Sequence, residues 1–495
     1  MPFIRFKKDE AMEVGPQALN LRLPFGEMDV LEENLELIRR QLGLEHVEVL
    51  SAADEAARTR AGKYASLLNQ NPPSPAPVVV DHLASAFARA LGRFHPFAGR
   101  LVADEHGPAA TTVSLRCTGE GAEFVHAAAP GVTAADVTGS LYIPRDLVAS
   151  LFPLNGLVSA DAAGPRPAPV LAAQVTELAD AVFVAASLNH AVGDGTTFWH
   201  FMNTWSHFSR TSVSGKTTTT DRPPPPEPVP ERWFPDTCPI PVPLPFARLD
   251  HVVKRCHHAP LPVDECFFHF SAESVKKLKA RTNAEVTNSS IDTATKSTTV
   301  TTISSLQAVL AHLWRAVCRA RKLSPSQPTT YVLFIGCRGR VKGVPPSGYV
   351  GNAVVPCKVT STAGDVVERG LGWAALQLNR AVASYNADEA AMVRDSVEKW
   401  VREPRFAYTA DMLSGGSAAV GTGGSPRFDV YGNDFGWGMR PVAVRSGPAN
   451  KMDGKTTVYQ GRGGGGAVGL EVCLAPDALT RLVDDKEFMD AVTVP

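Results

Sequence analysis

Paired cysteines, long apolar runs and a charge of one sign are all missing from this chain of 495 residues. Lys and Arg number 49 against 50 Asp and Glu, a formal net charge of −1, so there is no electrostatic footprint for nucleic acid or an anionic membrane. The one short basic run, Lys276-Lys277-Leu-Lys279, reads as the solvated face of a helix. No apolar run approaches the roughly 20 residues needed to span a bilayer, and the N-terminal Met-Pro-Phe-Ile-Arg-Phe-Lys-Lys-Asp-Glu lacks the apolar core of a secretory signal. The eight cysteines (117, 238, 256, 266, 318, 337, 357, 473) contain no Cys-x-x-Cys pair. They read as reduced thiols of a cytoplasmic protein. Cys256-His257-His258 followed by Cys266 fits no usual zinc spacing, so no metal is expected.

What the chain does have is Ser187-Leu-Asn-His190-Ala-Val-Gly-Asp194-Gly195. Residues 168–176 and 181–188 read as two apolar strands around a turn at Ala179-Asp180. Thr196 to Phe208 reads as an amphipathic helix with Phe198, Phe201, Met202 and Trp205 on one face. Gly193 and Gly195 permit a sharp turn, and Asp194 stands where an N-cap belongs. A histidine between such a strand and helix can take a proton from a hydroxyl or amine. With 13 histidines in the chain, His-x-x-x-Asp spacing alone carries little weight. Two readings fit this segment: a catalytic base, or a hydrogen-bonded core histidine beside a helix cap.

Composition marks the organisation. Residues 1–210 form a first domain, and within its first 45 residues the charged stretch at 26–42 reads as a helix. Within 79–101, Val80 to Phe94 read as a helix, followed by a turn into a strand. A Thr- and Pro-rich crossover linker occupies 211–260, because such a stretch cannot build a core and its prolines favour an extended connector. Residues 261–495 form the second domain: a strand from 264, a helix, a polar insertion at 282–304, then a buried helix through Leu306, Val309, Leu310 and Leu313. Ser414 to Ser425, rich in Gly and Ser, reads as a mobile loop. Gly461-Arg-Gly-Gly-Gly-Gly466 lies between two apolar stretches and reads as a hairpin tip, not a phosphate cradle.

Far downstream stands Asp434-Phe-Gly436-Trp437-Gly438. Its order after His-x-x-x-Asp-Gly resembles the plant BAHD acyl-CoA-dependent acyltransferases. Phe94-His-Pro-Phe-Ala-Gly-Arg100-Leu101, Ser305 to Arg315, and Tyr349-Val-Gly351-Asn352-Ala353 are similar to three further motifs of that family, and Leu50-Ser51-Ala-Ala-Asp54 to a fourth. Phe198 to Trp205 and Val442 to Pro448 resemble its uncharacterised acetyltransferase-like branch. The resemblance spans about residues 46 to 490, with the motifs in order.

The resemblance implies an α/β fold of two similar-sized domains of the chloramphenicol acetyltransferase-like type. Each would have a mixed β-sheet flanked by helices, with a solvent channel between them. A segment at about 433–455 would pack back on the first domain. It implies a cytoplasmic monomer that transfers an acyl group from acyl-CoA, a co-substrate and not a bound cofactor, to a hydroxyl or amine of a small plant metabolite. His190 would be the general base. Asp194 would face away from the channel and pair with an arginine, for which Arg315, Arg338 and Arg340 are candidates, and Gly195 would belong to the same support. Asp434 carries either a catalytic role or, as the flanking Gly436, Trp437 and Gly438 favour, a structural one. The same scaffold could serve elimination chemistry or a non-catalytic binding homologue. Four departures stand out: the first 45 residues, the polar run Arg58 to Tyr64, Gly336 where the family has aspartate, and Ser425-Pro-Arg427 in place of Trp-Thr-Arg.

Overall fold

The structure, a computed structural model, describes residues 76–106, 111–117, 119–157, 159–164, 167–213, 223–233, 242–244, 246–249, 262–292, 302–340, 347–385, 418–437, 440–449 and 451–493, with the backbone of three short strands before residue 71 and a few isolated positions. The charged stretch at 26–42, the polar run at 58–64, the Cys256-His257-His258 cluster and Gly438 lie outside the described residues.

The first half contributes β1 (Gln17–Leu19), β2 (Val47–Val49), β3 (Ser66–Gln70), β4 (Arg100–Glu105), β5 (Thr111–Arg116), β6 (Glu123–Ala129), β7 (Leu171–Leu178) and β8 (Ala181–Leu188). The second contributes β9 (Asp264–Phe270), β10 (Pro328–Gly336), β11 (Val354–Thr362), β12 (Ala418–Gly424), β13 (Ala443–Arg445), β14 (Lys455–Gln460) and β15 (Val468–Leu474). They form two six-stranded mixed sheets, ordered β1-β6-β7-β8-β3-β13 and β11-β10-β12-β14-β15-β9, and a three-stranded sheet β2-β5-β4. The chain is thus α/β in two halves of similar design. β13 breaks the division: it comes from the second half but pairs with β3, Val444 opposite Leu67.

β8 is apolar and buried on both faces, and β7 is buried on both with Gln174 and Thr176 inward on one of them, as strands at the middle of a covered sheet must be. Helix α1 (Ala76–Arg93) and helix α2 (Gly195–Val213) cover this sheet. Phe87, Phe201 and Trp205 interlock between them with ring centroids 5.1–6.5 Å apart, and the indole Nε1 of Trp205 donates to Leu83 O at 2.9 Å. Removing one such buried ring typically costs about 3–5 kcal/mol. In the second half, α3 (Ala272–Asp292), α4 (Ser305–Ala320) and α5 (Gly370–Ser384) pack over the other sheet around Trp314 and Phe268. Ser304 and Gln307 close a capping box at the start of α4, which fixes where that helix begins.

Two expectations need correcting. The polar insertion at 282–304 begins as helix, because α3 continues to Asp292; Thr282 turns its hydroxyl inward to Leu278 O and Asn283 bonds Ile303. The glycine-rich stretch at 414–425 is not a loop from 418 on. Its residues form β12, in the centre of the second sheet between β10 and β14. Glycine serves close approach here: at Gly424 (φ +80) a Cβ would strike Val458 O of the neighbouring strand.

A buried charge cluster in the second half meets the first through the exposed Arg145. Lys451 contacts Glu265 of β9 and Glu471 of β15, and Arg145 of the first half donates Nε to Glu265 Oε1 at 2.8 Å. Burial opposes the charge on Lys451, but the two carboxylates outweigh it and raise its pKa. Alongside, Ile143 N donates to Glu265 O and Phe267 N to Leu141 O, covering the outer edge of β9.

Candidate active site

β8 ends at Leu188, the chain turns through His190, and α2 begins at Gly195. His190 is half-buried at this junction. The turn is tight because Gly193 lies against the side chain of Thr197: a Cβ there would stand 2.6 Å from Thr197 Cγ2. Asp194 caps the helix, accepting from Thr197 N at 3.0 Å through Oδ1, while its carbonyl accepts from Phe198 N.

Asp194 is only 2 % exposed and needs a counter-charge. Arg338, from the loop after β10, supplies it in bidentate form: Nη1 to Oδ2 at 2.6 Å and Nη2 to Oδ1 at 2.9 Å. Ala353 N adds a third donor at 3.0 Å. Burial alone would raise the Asp194 pKa, but Arg338 and the two backbone donors hold it below the usual carboxylate value. Of the other candidate arginines, Arg315 lies elsewhere, on Glu487 and Val367 O. Arg338 also reaches Thr197 Oγ1, Gly351 O and Tyr349 O, so one guanidinium ties the start of α2 to the Tyr349–Ala353 loop.

That loop holds the histidine's own backbone. Asn352, 5 % exposed, donates Nδ2 to His190 O at 2.7 Å. Asn352 stood inside a quoted motif without a role; its amide has one because Gly351 and Ala353, its neighbours, are fixed by Thr197 and Asp194. Sequence reasoning also missed Thr197, whose small hydroxyl at the helix start was the available sign.

The distant Asp434 motif does not meet this turn. Asp434 Oδ1 accepts from Gly436 N at 2.8 Å, closing an Asx turn with Gly436 at φ +105. The turn docks on α2: Ser206 Oγ donates to Asn433 Oδ1 at 2.8 Å, Ser209 Oγ to Phe435 O at 2.5 Å, and Phe435 packs edge-on to Trp205 with centroids at 5.4 Å. Trp437 packs against Phe435 in turn. Ser206 and Ser209 lie 11 and 14 residues after Gly195, about 16–21 Å along the helix. One helix therefore carries both motifs, His190 before its start and the Asp434 turn on its later half.

Four of the described cysteines are thiols whose ionisation burial opposes, Cys357 among them. Burial pushes the thiols of Cys266 and Cys473 up to about 12 and that of Cys318 up to about 11. Among the described residues, no group of His, Cys, Asp and Glu could hold a metal ion.

A family model described as "Transferase family" matches residues 49–489. An uncharacterized acetyltransferase of Arabidopsis thaliana is 31% identical over 420 residues, covering 84% of this chain and 88% of that protein. A TRI101 of F. graminearum, solved in complex with coenzyme A and T-2 mycotoxin, has a TM-score of 0.69 at 17% identity and covers 90% of this chain and 99% of its own. A short stretch of 75 residues, 15% of the chain, is 67% identical to 7% of the cytoplasmic leucine–tRNA ligase of Arabidopsis thaliana.

Proposed function

Because the chain belongs to the Transferase family, the BAHD acyltransferases, we propose that it moves an acyl group from acyl-CoA directly to a hydroxyl or amine of a small metabolite, with His190 as the base. The observation that carries this reading is the support around His190. Its carbonyl is held by Asn352 and its turn by the Asp194–Arg338 pair, all buried, so the backbone that carries the imidazole is fixed at both points. A core histidine with no task would not need both clamps.

The reaction balances on this one group. The acceptor X–H attacks the thioester carbonyl, and a ring nitrogen of His190 takes the proton as the C–X bond forms. The tetrahedral adduct then expels CoA thiolate, which recovers the proton from the imidazolium. Acyl-S-CoA and HX become acyl-X and CoA-SH, with no acyl-enzyme. A general base contributes typically ~10²–10⁴-fold, the remainder coming from positioning and oxyanion stabilisation in a channel between the halves. The TRI101 structure is a complex with both coenzyme A and T-2 mycotoxin, which supports a scaffold that takes a CoA substrate and a second small molecule.

The test is incubation with a panel of acyl-CoAs and a plant metabolite extract, following free thiol and new product masses. Acceptor-dependent thiol release is expected, falling at least ~100-fold in His190→Ala while the fold is retained. Absence of acceptor-dependent release with every donor would overturn the transferase reading. Products formed without CoA consumption would replace it with elimination on the same scaffold.

A further inference from the structure

The crossover between the halves is more than a tether. Residues 227–233 run beside the Tyr349–Ala353 loop: Val229 N donates to Gly348 O at 2.8 Å and Val350 N to Val229 O at 2.9 Å, a parallel bridge between Val229 and Tyr349. Gly348 (φ +80) permits it, since a Cβ there would collide with Glu227 O. The crossover is also pinned to α2, where His200 Nε2 donates to Pro226 O at 2.7 Å. From this fixed segment Arg232 reaches inward and donates Nη2 to Val192 O at 3.1 Å. Its guanidinium occupies the space a Cβ on Gly351 would need.

The consequence is a regular pattern. Along the turn, residues 190, 192 and 194 each accept from outside the first half: His190 O from Asn352, Val192 O from Arg232, and the Asp194 carboxylate from Arg338. We infer that Arg232 is a positioning residue, the third clamp that sets where the His190 imidazole stands. This rests on the reading of His190 as the base. Removing the Arg232 donor frees the middle of the turn, and a displacement of about 1 Å there can cost ~10²-fold in rate.

The experiment compares Arg232→Met and Arg232→Ala, both of which remove the donor to Val192 O. The first readout needs no activity: the His190 ring signal in protein labelled at histidine Cε1, assigned by its loss in His190→Ala and titrated with pH. Both variants are expected to shift that signal and its midpoint. The second readout is kinetic, with kcat expected to fall ~10- to 100-fold and KM for acyl-CoA to stay within about twofold. An unshifted His190 signal in either folded variant, or an unchanged kcat in Arg232→Met, would overturn the assignment. If the signals shift but the wild-type protein transfers no acyl group, the clamp stands and the proposed reaction falls.

Discussion

Arg338 and Asp194 form a bidentate pair across 144 positions of sequence, with both carboxylate oxygens engaged at 2.6 and 2.9 Å and both side chains almost fully buried. The pair joins the end of one sheet's central strand to the loop leaving the other sheet. Its value lies less in attraction than in geometry, because two buried charges recover their desolvation cost only in one arrangement. The turn bearing His190 inherits that arrangement.

Breaking the pair from one side is therefore expected to be costly. Asp194→Asn leaves the Arg338 guanidinium buried without a counter-charge, a loss of about 3–5 kcal/mol. Arg338→Gln should cost a similar amount by exposing the converse fault. The double variant should lose clearly less than the sum, since no lone charge remains in the interior. Denaturant titration of the four proteins measures this coupling. Additive losses would mean that the two charges do not depend on each other.

The Asp434 turn invites a different expectation. Its carboxylate is spent on Gly436 N, and the turn docks on the later half of α2, away from His190. Asparagine can accept the same hydrogen bond through its amide oxygen. Asp434→Asn should thus keep activity within a few-fold, whereas Asp434→Ala should lose roughly 1 kcal/mol of stability along with the turn. A second proton acceptor would behave otherwise. A fall of ~100-fold or more in kcat for Asp434→Asn, with unchanged stability, would return Asp434 to the chemistry.

Much of the site was legible because local rules govern it. β7, β8 and α2 follow from hydrophobic pattern, and the N-cap role of Asp194 from its place before the helix. The choice of Arg338 over Arg315 or Arg340 was not legible, because three arginines of equal chemistry differ only in where the fold of the second half delivers them. β12 was misread since glycine signals mobility in sequence, yet at Gly424 it answers the approach of Val458. β13 has three residues, too few for a pattern, and pairs with a strand more than 370 positions earlier. The crossover's prolines pointed to a connector and gave no sign that Val229 would bridge Tyr349 or that Arg232 would reach Val192. The unusual first 45 residues lie before the family match, which begins at residue 49.

His312 supplies a stability switch outside the site. It sits on α4, 1 % exposed, stacked on Phe488 with centroids at 5.4 Å. Burial lowers its pKa from 6.5 to about 4; the carbonyl of Phe488 and the charge of Glu487 oppose this, while Arg315 and Arg319 reinforce it. The folded state thus keeps His312 neutral where the unfolded chain would protonate it. The unfolded state binds more protons between pH 6.5 and 4, so the contribution is full above 6.5 and is lost as pH falls toward 4. Between pH 7.5 and 5 the loss should be about 2 kcal/mol. His312→Gln, which cannot take up the proton, should remove that part of the pH dependence and leave the part due to carboxylates and other histidines. Urea midpoints of both proteins at the two pH values make the comparison. An equal fall in wild type and variant would show that His312 is protonated within the fold at no cost.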